Sequence, residues 1–255
     1  MSFYIENNTD ININYVNRIL KANTLQYDFM PDLHIRVCGI EQAPNFPHPN
    51  CSINGYCFYD SKQAGNKFVF SKDGIYLALE NNCLKAELYC PSEMPSYKQH
   101  EILRLISIAF LCSVIKDGGI YIRGTVILHN NKRYFVCSGD NDIIARKRAE
   151  DTQVSDSAAD YCLLQNNGKY LFYALPWSKK NNNYNSRAYA FDSVIFINSK
   201  PGASSVSQLS REEAMAILTK NNYMRNISEE LYKAYIKNAE RISEAIKVYT
   251  MPQGF

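Results

Sequence analysis

The sequence predicts an α/β (α+β) fold, a mixed twisted β-sheet with flanking helices behind a β-rich N-terminal region. Three observations predict it. Up to about residue 95, short apolar stretches alternate with turn signals. A long apolar helix pattern then runs from Ser96 to the Gly118-Gly119 pair. Beyond it, short strand patterns alternate with helical ones. The chain has 255 residues, 46% hydrophobic and 21% charged, enough to bury a core in one large domain or two small ones. The expected division is a β-rich region over 1–95 and a core with a C-terminal helix over 96–255.

In the N-terminal region the strand patterns are "LHIRVCGI", "INGYCFYDS" and "NKFVFSKDGIYLALENNCLKAELY". Phe68-Val69-Phe70 and Ile75 to Leu79 flank Lys72-Asp73-Gly74, which predicts a hairpin, and Asn81-Asn82 is a second turn. "SYKQHEILRLISIAFLCSVIKDGG" opens with Ser96 and Gln99 at capping-box spacing. It is apolar on nearly every side, so this helix is expected to lie buried against a sheet.

"GIYIRGTVIL" and "KRYFVCSG" predict two strands around Asn130-Asn131. "ADYCLLQ" and "KYLFYALP" predict a pair across Asn166-Asn167-Gly168. "SKKNNNYNSRAYAF" is polar and Asn-rich, a loop pattern, and "DSVIFINS" is an apolar strand. "LSREEAMAILTKN" carries a second capping box, Ser210 and Glu213. "SEELYKAYIKNAERISEAIKV" closes the chain as an amphipathic helix with Leu231, Tyr235, Ala239, Ile242 and Ile246 on one stripe.

Lys plus Arg is 28 against 25 for Asp plus Glu, so a general nucleic-acid binder is not indicated. The most apolar run, Ile102 to Ile115, contains Arg104 and is too short to span a membrane. The eight cysteines form no Cys-x-x-Cys and sit mostly in apolar surroundings such as "AFLCSVI". Together with an N-terminus lacking a basic start and an apolar run, they predict reduced, largely buried thiols in a cytoplasmic protein. Zinc could be held only by combining scattered residues such as Cys51, Cys57 and His48.

Function is most legible in "YFVCSGDNDIIARKRAED". It predicts a strand from Tyr134 to Cys137, a turn at Ser138-Gly139 and a helix opening near Asp140 or Asn141. A strand that turns through glycine into a helix N-terminus is a common phosphate site. Here the loop has one glycine, with Asp140 and Asp142 where bare N–H groups are needed. Arg146-Lys147-Arg148 is the one dense basic cluster. It reads as a solvated helix face or as a replacement for a phosphate-binding lysine.

The order of motifs over roughly residues 68 to 225 resembles the serine-kinase family related to HPr kinase/phosphorylase, whose fold is similar to phosphoenolpyruvate carboxykinase. The pieces that carry the resemblance are the helix ending in Gly-Gly, the phosphate-type turn and "VSDSA". "LPWS" before an Asn-rich loop, "DSVIFIN" and "LSREEAMAIL" complete it. Members bind ATP through Gly-x-Ser-Gly-x-Gly-Lys-Ser/Thr, with an Asp pair on the next strand for Mg²⁺ and the attacking serine hydroxyl.

On that pattern Ser138 and Gly139 match the loop start, while Asp140 and Asn141 replace its middle and the Lys-Ser/Thr pair is missing. Asp156 matches the first acid, the catalytic and Mg²⁺-binding residue of an active enzyme, and Ser157 replaces the second. Arg123 stands where HPr kinase has a histidine. Like charges a few ångströms from a triphosphate repel by several kcal/mol in a partly dry site.

The resemblance therefore implies a catalytically degenerate kinase-like protein, a pseudokinase that acts through binding. Its expected partner is a peptide or protein, in the setting of a ribosomally made peptide and its maturation. Arg123, Trp177 and Arg187 are its substrate-facing candidates, against core packing beside Pro176 for Trp177 and a solvated charge for Arg187. A homo-oligomer is compatible with the sequence. The alternative is a divergent ATP- and Mg²⁺-dependent serine kinase, with Arg146 or Lys147 replacing the loop lysine. A third candidate is Cys137, at a strand end where a helix N-terminus would lower its pKa, though no histidine is placed beside it and His129 reads as a surface residue.

Overall fold

The protein was analysed as a computed structural model that describes residues 3–21, 33–46, 48–53, 55–59, 67–95, 98–129, 132–138, 154–156, 160–175, 188–190, 193–198, 205–219 and 228–252. The fold is α+β, with helices and mixed sheets, and the chain divides into two compact units. The first comprises Met1–Asp117 with Tyr223–Tyr232, and the second Gly118–Asn222 with Lys233–Phe255.

The first unit is one seven-stranded sheet in the order β1-β2-β7-β6-β5-β4-β3. Its strands are β1 (Phe3–Asn7), β2 (Leu33–Gly39), β3 (Cys51–Ile53), β4 (Tyr56–Tyr59), β5 (Lys67–Lys72), β6 (Ile75–Glu80) and β7 (Lys85–Cys90). The predicted hairpin is β5–β6. Lys72 pairs with Ile75 across Asp73 (φ 51°) and Gly74 (φ 79°), two left-handed residues that give the turn the same twist as its strands. Asn81-Asn82 forms the next turn, where the Asn82 carboxamide oxygen accepts the Leu84 N–H at 2.9 Å.

Helix α2 (Gln99–Lys116) covers one face of this sheet, and Lys116 lies 6.0 Å from the Phe68 ring centroid. Phe68 and Phe70 of β5, with Ile75, Leu77 and Leu79 of β6, are buried at alternate positions. Each such side chain contributes roughly 1.5–3 kcal/mol on burial. The division between units thus falls after α2 rather than near residue 95, because the helix packs on the N-terminal sheet.

Gln99 is not used as a capping box. Its side-chain carbonyl accepts the backbone N–H of Tyr15, 2.9 Å away, and so caps the first turn of α1 (Asn14–Lys21) from another helix. Ser96 lies outside the described residues. Helix α1 went unforeseen in the sequence, since its apolar anchors, Ile11, Ile13 and Val16, are sparse among asparagines.

The second unit holds two sheets. A four-stranded one runs β14-β13-β12-β8 and a six-stranded one β11-β9-β10-β15-β17-β16. Their members are β8 (Ile120–Arg123), β9 (Thr125–His129), β10 (Lys132–Ser138), β11 (Val154–Asp156), β12 (Asp160–Asn166) and β13 (Lys169–Ala174). Then come β14 (Ala188–Ala190), β15 (Ser193–Asn198), β16 (Ser207–Gln208) and β17 (Lys247–Pro252). The β12–β13 hairpin turns at Asn167 (φ 47°) and Gly168 (φ 78°), as its sequence predicts.

Three expectations change here. "GIYIRGTVIL" is two strands, β8 and β9, in different sheets, broken at Gly124. A Cβ on Gly124 would come within 2.5 Å of both the Phe135 ring and the Val136 carbonyl oxygen, so only glycine permits this crossing. Within the expected loop over 178–191, Ala188–Ala190 is a strand paired with β13. The C-terminal helix pattern ends at Ala245, and Lys247–Pro252 is a strand parallel to β15.

Helix α3 (Arg211–Thr219) starts with the predicted capping box. Ser210 N–H donates to the Glu213 carboxylate at 2.9 Å, and Glu213 N–H donates to the Ser210 hydroxyl at 3.2 Å. The expected stripe of α4 (Glu229–Ala245) is buried throughout. Its Tyr235 hydroxyl reaches the carbonyls of Leu218 (2.8 Å) and Tyr121 (3.0 Å), fixing the helix to α3 and β8.

Candidate functional site

Strand direction locates the candidate site. β10 runs parallel to β15, β15 parallel to β17, and β11 and β10 are both antiparallel to β9. The carboxyl ends of β10, β11, β15 and β17 therefore emerge at one edge of the six-stranded sheet. In open sheets with parallel strands, that edge is where ligands bind. The residues found there are Ser138, closing β10, Asp156, closing β11, and Asn198, closing β15.

Register brings the sequence candidates together at this edge. Thr125, which opens β9, pairs with Val136, two residues before Ser138, and Asp156 pairs with Val126. The β11–β9 register slips between Val154 and Asp156, a bulge of the kind that turns a side chain away from the regular pleat. Arg123 precedes Gly124 on the same turn of chain and pairs with Asp160 on β12. Three residues remote in sequence, Arg123, Ser138 and Asp156, thus share one margin of the second unit. Gly139, Asp140, Asn141, Arg146, Lys147, Trp177 and Arg187 lie outside the described residues, as does the expected helix after Gly139.

Beneath this edge the packing is tight and apolar. Phe135 meets Phe172 at 4.5 Å between ring centroids and Tyr161 at 5.1 Å, edge to face. On the opposite pleat Val136 packs with Ile197, flanked by Tyr134, Ile195 and Met251. Such anchoring holds the ends of β10 and β15 in a fixed relation, which a binding edge requires.

Cys137 is not an activated thiol. It is 4% exposed, its Sγ faces the Ile195 carbonyl oxygen at 3.6 Å, and burial pushes its pKa up to about 12. A thiolate nucleophile needs the opposite shift. The eight cysteines are free thiols, and six of them are buried. Among the described residues no helix is long and apolar enough to cross a membrane. No cluster of three or more metal-ligating His, Cys, Asp or Glu side chains occurs among them either.

In comparison with known proteins, the chain matches no family model, no curated sequence and no solved structure.

Proposed function

We propose that this chain is a catalytically degenerate relative of the HPr-kinase-like serine kinases that acts by binding a peptide or protein. The observation that carries the proposal is the shared edge. β10, ending in Ser138, and β11, ending in Asp156, run parallel with β9 between them and open at the same edge, the layout in which a phosphate loop and its metal-binding acid would stand. The loop sequence then argues against phosphoryl transfer. Asp140 and Asp142 occupy it, the Lys-Ser/Thr pair is missing and Ser157 stands in place of the second acid. What remains is a sheet edge whose strand ends are anchored by apolar packing, and in sequence the Asn-rich segment with Trp177 and Arg187 supplies the candidate peptide-facing residues.

A displayed random-peptide library panned against the protein tests this. Peptides are expected to enrich and to be lost with Trp177→Ala or Arg187→Ala, while Asp156→Asn and Mg²⁺-ATP leave binding unchanged. Transfer of the γ-phosphate of ATP to serine-containing peptides, lost with Asp156→Asn, would replace this proposal with the active serine kinase.

A further inference from the structure

Among the described residues the three sheets have six edge strands, and β1 differs from the other five. β3, β11, β14 and β16 are two or three residues long, too short to offer much to a neighbouring strand. β8 has four residues, and its Tyr121 carbonyl accepts the Tyr235 hydroxyl of α4. β1 runs for five residues in unbroken parallel register, from Phe3 beside Leu33 to Asn7 beside Val37. It carries no lysine, proline or bulge, the devices that normally blunt an open edge. No strand pairs with its outer side among the described residues.

The side chains of β1 are incompletely covered as well. On the face that α2 covers, Phe68, Leu79, Ala86 and Ile35 stand side by side on β5, β6, β7 and β2, each at most 4% exposed. Ile5 is the next member of that row and is only half-buried. On the other face Tyr4 is 60% exposed, the most open large apolar side chain among the described residues. Its ring stands edge-on to His34 at 4.9 Å. An apolar row that stops at a half-covered isoleucine, beside an open backbone edge, has the form of a sheet lacking its next strand.

We propose that β1 pairs antiparallel with β1 of a second copy of this chain, joining two seven-stranded sheets across a two-fold axis at Ile5. The strand is self-complementary in that register, as a two-fold contact requires. All five residues then pair: Ile5 meets its own copy, and Tyr4 stands opposite the second copy's Glu6. The buried row continues through both isoleucines into the second sheet, and no like charges face each other. An axis at Tyr4 or at Glu6 pairs only three residues of β1, and the latter sets two carboxylates face to face. The contact is small, so a weak dimer in exchange with monomer is expected.

Sedimentation of the full chain over about a hundredfold range of concentration tests the assignment, and a dimer that grows with concentration is expected. Tyr4→Glu sets carboxylates opposite each other at two symmetric positions, so roughly tenfold weaker association is expected. Tyr4→Lys meets the second copy's Glu6 with a cation and is expected to keep the dimer. Tyr4 is exposed, so both variants are expected to melt like the parent. Ile5→Cys brings its thiol onto the axis beside its twin, and oxidation is expected to link two chains. Tyr4→Cys, whose two copies lie about 7–8 Å apart on the diagonal, is expected to stay unlinked, as is the parent with its eight native thiols. A chain that stays monomeric throughout would overturn the proposal. So would a dimer that Tyr4→Glu leaves unchanged, or one that links through Tyr4→Cys and not through Ile5→Cys. The outcome is independent of the sheet edge of the second unit, whose residues none of these variants alter.

Discussion

The two units use the same device and build different sheets with it. Asp73-Gly74 in the first and Asn167-Gly168 in the second both close a hairpin through two left-handed residues. Around its hairpin the first unit adds strands that are mostly sequence neighbours, with β3 to β7 in unbroken order. The second unit does the reverse. Its six-stranded sheet joins strands as distant as β10, β15 and β17, all parallel, and the chain changes sheet between β8 and β9. Consecutive antiparallel strands make a stable platform, whereas parallel strands gathered from afar point their ends at one edge. That difference places the candidate sheet-edge site, with Ser138 and Asp156, in the second unit.

The comparison can be broken most severely at Phe135, which fills the core beneath the edge in the second unit. Phe135→Ala is expected to cost about 3–5 kcal/mol, read by urea unfolding, because the cavity sits between Phe172 and Tyr161. A loss below about 1 kcal/mol would mean that the six-stranded sheet is not anchored there.

The two units' glycines give the next contrast. Gly124→Ala forces a methyl into the Phe135 ring and the Val136 carbonyl, so about 3 kcal/mol of destabilisation is expected. Gly74→Ala meets nothing within 4 Å and suffers only its positive φ, about 1 kcal/mol. Equal losses would show that conformation rather than space dictates glycine at the sheet crossing.

The smallest effect is electrostatic. Asp117 caps the C-terminal end of α2, the negative end of the helix dipole, and burial holds its pKa above the ordinary aspartate value. A raised carboxyl pKa means that the folded state binds the proton more tightly. Its ionisation therefore costs stability at neutral pH, and the cost disappears as pH falls through the folded pKa. Asp117→Asn is expected to stabilise the protein at pH 7 by about 0.5 kcal/mol, a small figure because the carboxyl is only partly buried and solvent screens it, and by nothing near pH 3. Thermal melts at the two pH values check this, and a gain that persists at pH 3 would contradict the electrostatic cause.

How legible the molecule was follows the same line. Both hairpins, the Ser210–Glu213 box and the α4 stripe could be read because each rests on residues a few positions apart. The break at Gly124 could not, since its cause is Phe135, which reaches it only after folding. Gln99 misled for a similar reason, its spacing to Ser96 fitting a cap while its carbonyl serves Tyr15 of another helix. Strand β17 was hidden because Ile246 continues the helical stripe to the first residue of "KVYTMP". At the site, Ser138, Asp156 and Arg123 were found through a resemblance of motif order.

The central claim is that the edge bearing Ser138 and Asp156 keeps the layout of a phosphate site without its chemistry. Titration calorimetry with ATP, with and without Mg²⁺, on the parent and on Asp156→Asn tests it most directly. The account predicts no heat of binding for either protein at millimolar nucleotide. Micromolar, Mg²⁺-dependent binding that Asp156→Asn abolishes would contradict it.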